Sequence, residues 1–325
     1  MEFSTKLFTP ETVNHAMSLP GGGPHNVAPG QITDDGELTL SLLNGLLKAQ
    51  KIKDKNMGTL DLKQIVIMYA KWIQSKPFDI GATIRASFFK CSIDKPNPQR
   101  VIEGGKQKKS LTSQSNGALM RISPLAVWCY NLTDQEMAQA ATLDTSLSHG
   151  NQLTQQASVL YCLAIKRILS SAMTRQEIYD DVKDYCQQNC LQDLQDWFKT
   201  IDSFADGKIN PELVTPKKAG GWLKHSFIMS FTFLKNESYD YREAIYDCIM
   251  LGGDTDTNAC IVGGMIGALV GFSNLPQREV DILLNCNISQ GKKSQRPKLI
   301  QTNNDLINKI KQLVEIAPDQ LIVNQ

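Results

Sequence analysis

The run Gly252-Gly253-Asp254-Thr255-Asp256-Thr257 leads directly into a helix-forming stretch of small residues, Asn258 to Gly271, and this junction constrains the fold more than any other part of the chain. Gly263, Gly267 and Gly271 recur at i, i+4 and i+8, which lays a bare stripe along one helix face. Another helix lies close on such a stripe, so the segment calls for a helix-packed interior. Gly252 and Gly253 let the backbone turn sharply ahead of the helix and remove side chains that would crowd a ligand. Asp254 and Asp256, two residues apart with a hydroxyl between them, form an all-oxygen group of the kind that hard cations bind.

Most of the remaining chain reads as helix too. Asp61 to Gln74 carries apolar residues at a spacing close to 3.6. Gln135 to Leu143, Gln155 to Leu169, Arg175 to Phe198, Tyr241 to Met250 and Leu306 to Ile316 follow the same pattern. Proline and glycine fall between these runs, where they terminate helices, and alternating strand patterns are scarce. With no internal repeat and no long linker, residues 1–325 are expected to form a single all-α domain. Cys91 to Ser115, poor in apolar residues, is read as an exposed loop or lid. Residues 288–325 are read as a peripheral extension, a basic loop followed by an outer helix.

The chain's 325 residues are 42% hydrophobic and 21% charged, with a formal net charge of +1. That balance supports a large core and argues against broad nucleic-acid binding. The basic groups Lys106, Lys108 and Lys109, and Lys292, Lys293, Arg296 and Lys298, are expected to be solvated loops. No apolar run is long enough to span a bilayer, and no secretory signal is visible. Eight cysteines without a C-x-x-C pair are read as reduced thiols of a cytoplasmic protein. A monomer is the expected state.

A second acidic group lies far upstream, at Thr33-Asp34-Asp35, just before a helical pattern beginning at Leu38. Adjacent aspartates repel, and a helix N-terminus or a cation offsets that repulsion. Taken alone, the pair reads equally as an N-cap with an acidic first turn. Together with the downstream group it supplies about six oxygen ligands, enough for one or two Mg2+ ions. Ser115-Asn116-Gly117 offers backbone N–H groups to negative oxygens ahead of a helix, or else a simple cap. His149, between Ser148 and Gly150, suits phosphate or water, or else a satisfied core position.

Four stretches occur in an order that resembles the ADP-ribosylglycohydrolase family, of the dinitrogenase reductase-activating glycohydrolase and ADP-ribosyl-acceptor hydrolase type. They are Pro20 to Pro24 with Pro29 to Asp35, Ser115 to Pro124, Ser146 to Asn151, and Leu251 to Thr257 with its helix. The resemblance spans roughly residues 20 to 280, and the last stretch is its most specific part. It implies an orthogonal multi-helix bundle and a hydrolase acting on ADP-ribosylated protein or an ADP-ribosyl small molecule. It implies two Mg2+ ions, or Mn2+, on Thr33, Asp34, Asp35, Asp254, Asp256 and Thr257. Ser115, Asn116, Gly117, His149, Gly252 and Gly253 would bind substrate. Three features depart from the family pattern: Gly36 stands where threonine or serine is usual, Ser148 where threonine is usual, and the family's first helix is absent, so that Met1-Glu2-Phe3 matches only its tail. Glu2 would then be the catalytic carboxylate, with Asp35 as the alternative. A protein that binds ADP-ribose without cleaving it is the competing reading. The linkage cleaved, to arginine, serine, poly(ADP-ribose) or O-acetyl-ADP-ribose, is left open.

Overall fold

Helix starts in this chain are set by short polar side chains. Thr9, Asp61, Thr133, Asn151, Thr174 and Asp240 each accept from the first free backbone N–H groups of the helix that follows, satisfying donors that have no intrahelical partner. The computed structural model describes residues 8–48, 51–52, 57–89, 91–105, 108–215, 219–303 and 305–324, without the side chains of 51, 52, 105, 108, 109 and 324. Glu2 lies outside the described residues. Among them the helices are α1 (Pro10–Met17), α2 (Asp34–Leu46), α3 (Leu62–Gln74), α4 (Ala82–Phe88), α5 (Pro98–Gly105), α6 (Lys108–Thr112), α7 (Ser123–Trp128), α8 (Asp134–Ser146), α9 (Gln152–Ser170), α10 (Arg175–Asn189), α11 (Gln192–Asp202), α12 (Leu223–Lys235), α13 (Tyr241–Leu251), α14 (Thr255–Val270), α15 (Gln277–Leu284) and α16 (Asp305–Glu315). The all-α class expected from periodicity is the class found. No helix among the described residues is long and apolar enough to cross a membrane.

The centre of the molecule is α9, α12 and α14. From Leu223 to Leu234 every residue of α12 except Lys224 is buried, as expected of a helix surrounded by others. Gly263 and Gly267 of α14 face α13, where an added Cβ would stand 3.1 Å from Tyr241 Oη and 3.5 Å from Tyr241 Cε2. Gly271 is not part of this stripe; it ends the helix at φ 77°, a backbone conformation that suits glycine. A neighbour carries the tighter constraint: a Cβ on Gly264 would lie 2.5 Å from Tyr161 Oη of α9. That hydroxyl donates to the Ile261 carbonyl at 2.8 Å and is not free to withdraw.

Four expectations are corrected. The helical run from Arg175 breaks at Cys190 and Leu191, both extended. The Gln156 side chain caps both broken ends, donating to Asn189 O and accepting from Leu191 N. Residues 91–115 are partly helical, in α5 and α6, with Val101 and Ser110 buried. A small sheet is present: β1 (Lys51–Ile52) pairs antiparallel with β2 (Met57–Asp61), and β2 pairs parallel with β3 (Gln320–Asn324). Arg296, assigned to solvent, is 8% exposed and ion-paired with Glu37.

Replacing Gly264 with alanine should destabilise the protein by about 1–3 kcal/mol through overpacking, measured by urea unfolding. Adding Tyr161→Phe should recover part of that loss by removing the oxygen in the way.

Candidate active site

Two helices begin at a residue of good capping type that does not cap them. Thr33 and Asp254 are the N-cap residues of α2 and α14, and both are residue types that favour this position. Neither makes a side-chain cap hydrogen bond. Thr33 Oγ1 donates instead to Asp35 Oδ2 at 3.1 Å, and Asp254 Oδ2 accepts from Asn116 Nδ2 at 2.8 Å. The expected N-cap and acidic first turn are present by position, Thr33 at the cap and Asp34 and Asp35 in the first turn, but the cap hydrogen bond is not made. Both helix starts turn their oxygens toward one place, where Asp34, Asp35, Asp254 and Asp256 act on one another electrostatically. Gly252 and Gly253, both at φ 78°, make the turn that brings α14 there from α13.

Burial is the main cause that pushes the Asp34 carboxyl up to about 7, followed by the charges of Asp79 and Asp256. Asp256 is also pushed up to about 7, by burial and then by Asp254. Asp35 is raised by burial, then by Asp256 and Asp34. The charged groups acting on the three are themselves carboxylates. Asp79 drew no attention in the sequence, because a single aspartate between Phe78 and Ile80 has no local pattern to mark it. It lies in the loop before α4, beside Gly81, whose backbone N–H hydrogen-bonds the Asp34 carboxylate. Its side chain is 25% exposed, and His25 Nε2 stands 3.4 Å away.

The Ser115-Asn116-Gly117 turn closes another side of the site. Asn116 N–H donates to Gly221 O at 3.0 Å, and its side-chain amide reaches Asp254. Gly221 sits at φ 73°, where a Cβ would be 3.4 Å from Asp254 Oδ2. Trp222 beside it donates its indole N–H to Gln114 Oε1 at 2.9 Å. His149 is fully buried; Ser115 Oγ lies 2.8 Å from its Nε2, and Ser148 Oγ lies 2.9 Å from its Nδ1. Burial pulls its pKa down to about 3, so the ring is neutral and orients the Ser115 hydroxyl. Below the turn the buried Arg121 donates to Gly117 O at 2.9 Å and pairs with Asp144 at 3.2 Å.

The oxygens present fit a hard cation. Asp35 Oδ1 and Asp256 Oδ1 are buried with no hydrogen-bond partner, and an orphaned carboxylate oxygen out of water is costly. Thr257 is buried beside them, and the donors are oxygens throughout, which suits Mg2+ rather than zinc. Among the described residues, no three histidine, cysteine or acidic side chains close up as a complete metal site. A cavity of about 970 Å3, within the range of small-ligand sites, opens on Asp35 and Asp256 beneath the loop Gly21 to Pro24.

The profile of the ADP-ribosylglycohydrolase family matches residues 2–313. The chain belongs to that family. It is 28% identical over 283 residues, 84% of this chain and 80% of the other, to a protein of Acanthamoeba polyphaga mimivirus provisionally named an ADP-ribosyl glycohydrolase. It is 25% identical over 280 residues to the ADP-ribosyl-dinitrogen reductase glycohydrolase of Rhodospirillum rubrum, covering 85% of this chain and 81% of that one. A solved structure titled as an ADP-ribosylglycohydrolase-related protein complex shares the fold at TM-score 0.67 and 19% identity, over 92% of this chain and 86% of that chain.

An aspartate whose folded pKa lies above its ordinary value binds more protons folded than unfolded between the two. Stability therefore falls as pH rises through that interval. In the presence of chelator, the melting temperature should fall as pH rises from 3.8 toward about 7, the window defined by Asp34 and Asp256. Asp34→Asn should flatten the slope in differential scanning fluorimetry, and Mg2+ should flatten its upper end.

Proposed function

We propose that this chain is a Mg2+-dependent hydrolase that cleaves the glycosidic bond between ADP-ribose and a modified side chain or related conjugate. One observation carries the reading: two helix starts of good capping type leave their helices uncapped and turn their oxygens into a shared acidic site. The family match and the names of the relatives support the same reading. Thr33, Asp34, Asp35, Asp254, Asp256 and Thr257 are the residues that would hold the ions. Bound there, Mg2+ supplies positive charge that offsets the carboxylates and polarises sugar hydroxyls and water.

The chain's own residues do the rest. The Ser115 hydroxyl, oriented by neutral His149, receives the anionic half of the substrate. Asn116, tied to Asp254 at 2.8 Å, keeps that turn in register with the acidic site. Bond cleavage builds positive charge on the ribose, which neighbouring carboxylates stabilise. Proton transfer needs a carboxyl that the substrate can reach. Asp35 is 5% exposed and committed to Thr33, which suits a ligand better than an acid. Asp79, partly open to solvent and acting on both Asp34 and Asp256, is the better general acid–base.

The test is release of ADP-ribose from ADP-ribosyl-arginine and ADP-ribosyl-serine peptides, with Mg2+ and with chelator. Metal-dependent release from one peptide is expected. Binding of ADP-ribose without release would replace the hydrolase with a reader. Asp256→Ala should remove both Mg2+ binding and turnover, and full turnover in that variant would end the scheme. Asp79→Asn should lower kcat by about 10²–10⁴-fold while calorimetry shows ADP-ribose affinity retained.

A further inference from the structure

Residues 291–299 run alongside the very stretch that carries the upstream acidic group. Lys292 N–H donates to Asn26 O at 2.8 Å. Gln31 Nε2 donates to Lys293 O at 2.8 Å, and Asn44 Nδ2 donates to Leu299 O at 3.1 Å. Between these ties sits Arg296. Its Nε and Nη2 donate to the two oxygens of Glu37, each at 2.6 Å. Its Nη1 donates to Ser75 O at 2.9 Å, and the guanidinium lies 5.9 Å from the centre of the Phe78 ring. Glu37 Oε2 also accepts from Trp72 Nε1 at 2.8 Å.

Glu37 stands one helical turn beyond Asp34 on α2, and Phe78 adjoins Asp79. One side chain thus grips both elements that carry acidic groups into this half of the site. A buried ion pair is weak evidence for stability, since well-packed apolar residues often serve as well. A planar fork that fixes two elements in register is something apolar packing does not supply. We infer that Arg296, acting through Glu37, Ser75 and Phe78, is a positioning residue that sets α2 and the Asp79 loop relative to each other, with residues 291–299 as a strap along α2. This role rests on the proposed function.

The experiment compares wild type with Arg296→Lys, and with the paired change Arg296→Met and Glu37→Leu, in the full chain. Arg296→Lys keeps the charge and loses the fork. It should weaken Mg2+ binding in calorimetry and lower kcat, each about tenfold, with KM unchanged. Amide hydrogen exchange should quicken at residues 33–35 and 78–81, and stay as in wild type along α9 and α12. The paired change should restore thermal stability without restoring Mg2+ affinity or turnover. If it restores all three, Arg296 is structural only and the proposal is overturned. If wild type releases no ADP-ribose, the proposed function fails, and amide exchange alone decides the strap: faster exchange at those residues upholds it, and unchanged exchange overturns it.

Discussion

Four aspartates held largely out of water where two helices begin are the charge problem around which this molecule is organised. Helix N-termini carry about half a positive charge each, and the backbone N–H groups of Asp256 and Thr257 do lower the Asp256 carboxyl. That contribution is too small, because burial and like charge still raise three of the four. Elsewhere among the described residues, buried charges have a partner of opposite sign, Arg121 with Asp144 and Arg296 with Glu37. Among the described residues the acidic group has no basic side chain paired with it, unlike the other buried charges, and this contrast sets it apart.

The polar architecture around that place works by indirection. His149 reaches outward through Ser115, Arg121 through the Gly117 carbonyl, and Arg296 through Glu37. Each buried group fixes a neighbour on an element that frames the site. Hydroxyls, amides and carboxylates around the acidic group thereby have their orientations set from behind, the condition for preorganised chemistry. The neutral histidine suits this arrangement, since its two ring nitrogens meet two serine oxygens without adding charge.

Much of this was legible in the residues. Amphipathic helices such as α3 and α9 announced themselves by period, and the two acidic loops by composition. What stayed hidden has physical causes. The α12 helix is buried on all sides and so has no polar face to give it away. The break at Cys190 is made by Gln156, a residue of a different helix. The sheet depends on a strand more than two hundred and fifty residues from its partner. Arg296 sits among lysines in a stretch that reads as solvent-facing, and only its distant partner Glu37 shows otherwise. Asp79 carries no motif, and its importance comes from where the loop before α4 falls. Gly264, more tightly enclosed than Gly263 or Gly267, stands beside the regular stripe and not in it. Features with local causes show in the residues, and those whose partners lie far along the chain do not.

Those long separations bear on how the protein is made. Arg296 meets Glu37 across 259 residues, and β3 docks on β2 across the same span of synthesis. Until residues near 300 leave the ribosome, Glu37 has no cation, and the start of α2 has no strap. The acidic site is therefore among the last regions to settle, although half of it is synthesised first. Contacts of this range slow folding and leave early segments waiting, exposed to solvent and to other chains. A nascent chain in this state exposes surface that the finished fold covers, and the start of α2 takes its final setting only once residues near 300 have docked.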